Sequence, residues 1–228
     1  DLRQDGGHRA RHRGDRAGVI TELLTIGGDG PALAADITRP DLGAPVAGVV
    51  VCHPHPAYGG TRQSHIVRAL VRAFVDRGMT ALSFDFRGAG ESHGESQGST
   101  TEWSDVTRAL DALEDALPPG TPLALAGYSF GAWSAVNVAA GDPRVLAIAL
   151  VAPGSSMPAT LDGRPIAIAH PENDHITEPQ VVADWLQAIG GGELAVIHGA
   201  DHYLRDRADE VSDYLGDFLI RSLATSDN

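Results

Sequence analysis

The sequence predicts an α/β fold, a single domain built on a mostly parallel sheet with helices on both faces. Three observations lead there. Short β-type runs alternate with amphipathic helical stretches along most of the chain, the pattern of parallel strands joined by helical crossovers. Residues 46–52 are almost continuously apolar, as a strand covered on both faces must be. The chain has 228 residues and no Pro/Gly/Ser-rich linker to divide them, so residues 18–228 are expected to form one domain.

The elements follow in order. Residues 1–17 hold five Arg and three Asp without periodicity and are expected to be a disordered tail. Residues 21–26 and 33–37 flank Gly27-Gly28-Asp29-Gly30-Pro31, a hairpin signature. After the strand at 46–52, Ile66, Val67, Leu70, Val71, Phe74 and Val75 recur at helical spacing, with Gly78 as the stop. Residues 80–86 return to strand character. Trp103, Val106, Leu110, Leu113 and Leu117 form the next helical stripe, ended by Pro118-Pro119-Gly120.

A strand at 123–126, a helix after Ser129, and strands at 146–151 and 166–169 come next. A helix through Val181, Val182, Trp185, Leu186 and Ile189 leads to a last strand at 194–197. The helix through Val211, Tyr214, Leu215, Phe218 and Leu219 closes the chain. Trp103, Trp133 and Trp185 sit on helical stripes and are expected in the core. The connection 153–165 has only 13 residues, too few for a helical lid, so an open and shallow site is expected.

Composition excludes several functions. Thirty acidic residues face 17 basic ones, every one of them arginine, for a net charge of −13. Such a surface repels phosphate backbones, which argues against nucleic-acid binding. No apolar run approaches the roughly 20 residues that span a bilayer. The single cysteine, Cys52, permits no intrachain disulfide and no multi-cysteine metal site. No signal-peptide pattern opens the sequence, and a cytoplasmic location is expected. The absence of lysine removes serine–lysine and Schiff-base chemistry.

The sharpest motif is Gly127-Tyr128-Ser129-Phe130-Gly131, between an apolar strand and a helical stretch. A tight strand-to-helix turn lifts a serine hydroxyl out of the sheet at a helix N-terminus, where a developing anion is favoured. A serine needs a base, and His202 follows the last strand. That imidazole needs a carboxylate to orient it, and Asp174 follows the strand at 166–169. The order Ser129, Asp174, His202 is that of nucleophile, acid and base in this kind of fold. Glu172 is the rival carboxylate, Asp201 is expected to hydrogen-bond locally, and His175 and His198 lie off the expected position.

With these residues in place, the chain resembles the α/β-hydrolase superfamily from Thr21 to Leu223. His53-Pro54-His55-Pro56-Ala57-Tyr58-Gly59-Gly60 is similar to a loop of small dienelactone-hydrolase-like hydrolases without a lid. Phe84-Asp85-Phe86-Arg87-Gly88-Ala89-Gly90-Glu91-Ser92 matches the superfamily's loop after the next strand. True dienelactone hydrolases carry cysteine where this chain has Ser129. The resemblance implies an oxyanion hole of two backbone N–H groups, one from Phe130. The second falls to the loop after residue 52, where Pro54 and Pro56 have no N–H and leave His55, Ala57 and Tyr58 as possible donors. His55 is the expected donor and Tyr58 the alternative. It also implies a structural loop at 85–92, braced by an Asp85–Arg87 pair.

The sequence thus reads as a serine hydrolase cleaving carboxylic esters through an acyl-enzyme, with Ser129, His202 and Asp174 as its triad. Tyr58, Tyr203 and Met157 are expected to bind the substrate, a small acyl compound. No cofactor is implied; a metal reading of His53 and His55 lacks a third ligand at a recognisable spacing. A thioesterase, an amidase or an acyl-transferring enzyme would use the same triad. A non-catalytic ligand-binding protein is the alternative from another class. Oligomeric state is left open.

Overall fold

Strand order decides where this molecule can hold a ligand. The computed structural model describes residues 10–13 and 18–224. Its strands, in chain order, are β1 (Ala10–Arg13), β2 (Val19–Ile26), β3 (Leu33–Pro40), β4 (Gly48–Cys52), β5 (Thr80–Phe84), β6 (Leu123–Tyr128), β7 (Val145–Val151), β8 (Ile166–Asn173) and β9 (Glu193–Asp201). They form one sheet in the order β1-β2-β3-β5-β4-β6-β7-β8-β9. The pairs from β1 to β3 and between β3 and β5 are antiparallel. The pairs from β5 through β4 to β9 are parallel. The helices are α1 (His65–Asp76), α2 (Trp103–Asp115), α3 (Phe130–Gly141), α4 (Pro179–Ala188) and α5 (Ala208–Ala224).

The two faces of the sheet carry different residues, and the helices match them. Toward α1 and α5 the central strands present Val49, Val51, Ala124, Ala126, Ala147, Ala149, Ala167 and Ala169. These small side chains leave room for Phe74 and Leu70 of α1 and Phe218 and Leu219 of α5. Toward the other face the same strands turn larger residues, Leu125, Ile148, Leu150, Ile166 and Ile168. There α3 answers with Ala132, Ala135, Val136 and Ala139. Large against small on both sides lets the layers interdigitate, as close packing of an interior requires. The strand period of two puts alternate residues on opposite faces, which produces the asymmetry.

Several expected boundaries move. The strand expected at 166–169 runs on to Asn173, and the last strand spans Glu193–Asp201. β9 is an edge strand with exposed polar residues such as His198, so its far half carries no apolar signal. The strand expected to end at Phe86 ends at Phe84. Part of the expected tail is structured: Ala10–Arg13 pairs antiparallel with Ile20–Leu23 of β2, whose outer edge otherwise exposes a row of backbone donors and acceptors. The remainder, 1–9 and 14–17, lies outside the described residues. The connection 152–165 contains no helix, as its length requires.

The chain leaves β4 for β5 on one side and returns to β6 on the other. At such a reversal the loops part and leave a crevice beyond the carboxyl ends of the strands.

Candidate active site

Strand β6 carries the chain straight into Ser129, whose φ of 55° is a left-handed conformation rare for a residue with a side chain. Its N–H donates to the Val151 carbonyl at 2.9 Å, and its own carbonyl accepts from Trp133 N–H at 3.0 Å. Helix α3 begins at the next residue. The turn closes so tightly that a Cβ on Gly127 would lie 2.4 Å from the Gly131 backbone, and one on Gly131 would lie 2.3 Å from the Cys52 carbonyl. Both glycines of the motif are therefore steric requirements.

The three residues singled out from the sequence meet. Ser129 Oγ lies 3.0 Å from His202 Nε2, and His202 Nδ1 lies 2.8 Å from Asp174 Oδ2. Asp174 and His202 are buried, and the Asp174 carboxylate has its other oxygen held by the N–H groups of Ile176 (2.8 Å) and Thr177 (3.3 Å). Burial pushes the Asp174 carboxyl up, but hydrogen bonds from His202 and these amides outweigh it, and it titrates below the usual carboxylate range. An ionised Asp174 accepts Nδ1–H, which leaves Nε2 as an acceptor for the serine hydroxyl. Tyr128 steadies the histidine from behind: its hydroxyl donates to the His202 carbonyl at 2.8 Å, and the two rings stack at 5.8 Å.

The rivals go elsewhere. Glu172 is bound to Gly199 N–H at 2.7 Å and to His198. Asp201 accepts from Tyr203 N–H at 3.0 Å, the local role expected of it. His53 is fully buried, with Nδ1–H donating to the Pro54 carbonyl and Nε2 accepting from Phe86 N–H at 2.9 Å. Both ring nitrogens are occupied, so His53 offers no lone pair to a metal. Burial lowers its pKa to about 4, against the opposing pull of the Pro54 carbonyl and Asp85.

In the loop after β4, Tyr58 N–H donates to the His55 carbonyl and Ala57 N–H to His55 Nδ1, both at 3.1 Å. Of the three donors the prolines leave, these two are spent inside the turn. His55 N–H, among the described residues, is not.

The expected Asp85–Arg87 pair does not form. The strand stops at Phe84, the chain turns, and the two side chains diverge. Asp85, fully buried, takes the Arg62 guanidinium and its N–H (2.8 Å), while Arg87 grips the buried Asp105 of α2 at 2.7 Å. Arg62 also reaches Glu91 and Asp36. This network ties the β4 and β5 loops together, and it joins residues too distant in sequence for spacing to reveal.

A cleft of about 800 Å³ opens over Ser129. Tyr58 and Tyr203 line it, as expected; Met157 does not and packs against the core instead, because the 152–165 loop folds back over α3, where Ser156 meets Asn137. Trp133 was expected in the core, yet one side of it faces the cleft, since α3 starts at the floor of the site and carries its first turn past it. His65 and Ile176 also line the cleft; only topology brings the start of α1 and the turn after β8 to Ser129.

Fold and site together define a serine hydrolase of the α/β-hydrolase superfamily without a lid. The family model described as serine aminopeptidase, S33, matches residues 43–167, more than half of the chain, and the chain belongs to this hydrolase family. The match includes Ser129 but stops short of Asp174 and His202. An uncharacterized protein of Rickettsia prowazekii is 30% identical over 199 residues, 82% of each chain. An α/β serine hydrolase homologue from Coxiella burnetii superposes with a TM-score of 0.78 at 28% identity, covering 86% of this chain and 96% of that one. An α/β serine hydrolase without lid from Xanthomonas campestris gives 0.76 at 26%, covering 88% and 94%. Among the described residues, no helix is long and apolar enough to cross a membrane.

Proposed function

We propose that the protein hydrolyses carboxylic esters through an acyl-enzyme. The observation that carries this reading is the unbroken hydrogen-bonded line from Ser129 Oγ through His202 to Asp174 at the floor of an open cleft. Ser129 Oγ attacks the acyl carbon while its proton passes to His202 Nε2. Asp174 holds the imidazolium that results. The oxyanion forms between the N–H groups of Phe130, at the positive end of α3, and His55. His202 then gives its proton to the departing alkoxide, and the acyl–oxygen bond breaks. Water repeats the sequence, giving up a proton to His202 and releasing the acid with Ser129 restored.

Cleavage beside a free amino terminus fits less well, because among the described residues no Asp or Glu lines the cleft to hold an ammonium.

Ser129→Ala and His202→Ala are each expected to lower kcat for 4-nitrophenyl acetate by roughly 10⁴-fold or more while leaving the fold intact. A fluorophosphonate should form one adduct, on Ser129, detectable by mass spectrometry. Folded protein that neither takes the label nor turns over any ester would make it a ligand-binding protein on a hydrolase scaffold.

A further inference from the structure

Two separate chains of aromatic rings leave Ser129 in the cleft. One starts at its neighbour Phe130: the rings of Phe130 and Trp133 lie 5.5 Å apart, Phe130 and His55 4.8 Å, and His55 and Tyr58 5.2 Å. The other starts at its hydrogen-bond partner His202, with His175 at 5.8 Å and Tyr203 at 6.0 Å, these two lying 6.1 Å from each other. Tyr58 and Tyr203 are large, exposed aromatics among the described residues, and Ile176 beside them is also exposed. Exposed apolar groups gathered on one rim mark a contact surface. Among the described residues, no Arg, Asp or Glu lines the cleft.

Chemistry assigns the two chains. The leaving oxygen takes its proton from His202 Nε2, so the alcohol part of an ester must lie on the His202 side. The acyl part then lies on the Phe130 side, beside the N–H groups that hold its oxygen. Resting on the ester-hydrolase reading above, we infer that the substrate is an ester with an aromatic alcohol part. That part seats against Tyr203 and His175, and an apolar acyl part seats against Trp133. The Arg205 guanidinium lies 5.4 Å from the centre of the Tyr203 ring, which holds that ring in place. An ionised substituent on the acyl part would enter the cleft with no counter-charge among the described lining residues and lose its hydration there, whereas an anionic one on the alcohol part would meet Arg205.

Benzyl and cyclohexylmethyl butyrate separate aromaticity from leaving-group strength, since both release a primary alkoxide. The expected kcat/KM ratio is roughly three- to tenfold in favour of benzyl, and the monobenzyl ester of succinic acid, with a carboxylate on its acyl chain, should be slower than benzyl butyrate. Tyr203→Ala should bring the benzyl ratio to about one and leave the benzyl butyrate/benzyl acetate ratio alone, whereas Trp133→Ala should do the reverse. Fluorophosphonate labelling of Ser129 shows that each variant is folded and reactive. Labelled wild-type protein with a benzyl ratio of one, or with a preference for the ionised acyl chain, overturns this inference and leaves ester hydrolysis standing. So does Tyr203→Ala lowering all esters equally. Failure of labelling and of every ester together is the failure of the underlying reading, and this inference falls with it.

Discussion

Ser129 occupies backbone that most residues avoid, and the glycines on either side exist to let it stay there. Neither leaves room for a side chain: a methyl group on Gly127 would press on the Gly131 backbone, and one on Gly131 on the carbonyls of Cys52 and His53, backbone atoms that cannot swing aside. Gly131→Ala is expected to push α3 away from the β4 loop, costing about 1–3 kcal/mol of stability. It should also displace Phe130 N–H, so kcat should fall more than the stability loss explains. Urea denaturation alongside esterase kinetics checks both; unchanged kcat would show that the Phe130 amide is not needed. This level of detail was legible in the sequence, because the motif, the strand before it and the helix after it all lie within a few residues. The bracing of Asp85 was not. Its partner Arg62 lies 23 residues away, and nothing in local spacing separates it from the adjacent Arg87.

At the scale of elements, short segments before the helices do the positioning. Glu102 is fully buried at the start of α2 and accepts from Ser96 Oγ (2.7 Å) and from the N–H groups of Gln97 (2.7 Å), Gly98 (2.9 Å) and Ser99 (3.1 Å). With Ser99 it forms a capping box. The loop it gathers abuts His55: a Cβ on Gly98 would lie 2.7 Å from that imidazole. Burial pushes the Glu102 carboxyl up, yet the four donors hold it below its ordinary value. Glu102→Ala strands those donors and is expected to cost about 2–3 kcal/mol, read as a lower urea midpoint, with KM rising as the support under His55 loosens. The existence and order of the helices and central strands were readable from periodicity. Edges were not: β1 and the far half of β9 are polar at the sheet margin, where burial imposes no pattern.

For the molecule as a whole, acid is the expected weakness. Burial lowers the pKa of His53 to about 4 and shifts that of His170 the same way. The unfolded chain binds protons at these positions below the ordinary value of 6.5, while the folded chain refuses them. For His53, Asp85 favours the charged ring, and Arg62 and His55 oppose it. Stability therefore declines as pH falls from about 6.5 toward 4. Asp174, Glu102 and Asp142 titrate below their ordinary values. Their contribution is whole above those values and drains away as pH falls through the folded ones. Thermal midpoints measured from pH 8 to 3 should drop in two stages, the first beginning near pH 6.5. A flat midpoint from pH 7 to 5 would show that the buried histidines take up protons without cost.

The amino-acid order alone determined the class of fold and the strained serine turn, because each is written in short stretches whose periodicity or sterics admits one conformation, and it singled out Ser129, Asp174 and His202, which meet in the structure. It also excluded a helical lid, by counting the residues between two strands. Tertiary structure decided what surrounds that chemistry. It set Met157 against the core and turned Trp133 to the cleft. It brought His65 and Ile176 to the rim and gave Asp85 to Arg62. These depend on which loops meet at the crevice between β4 and β6, and such meetings are set by the sheet's order rather than by any neighbour in the chain.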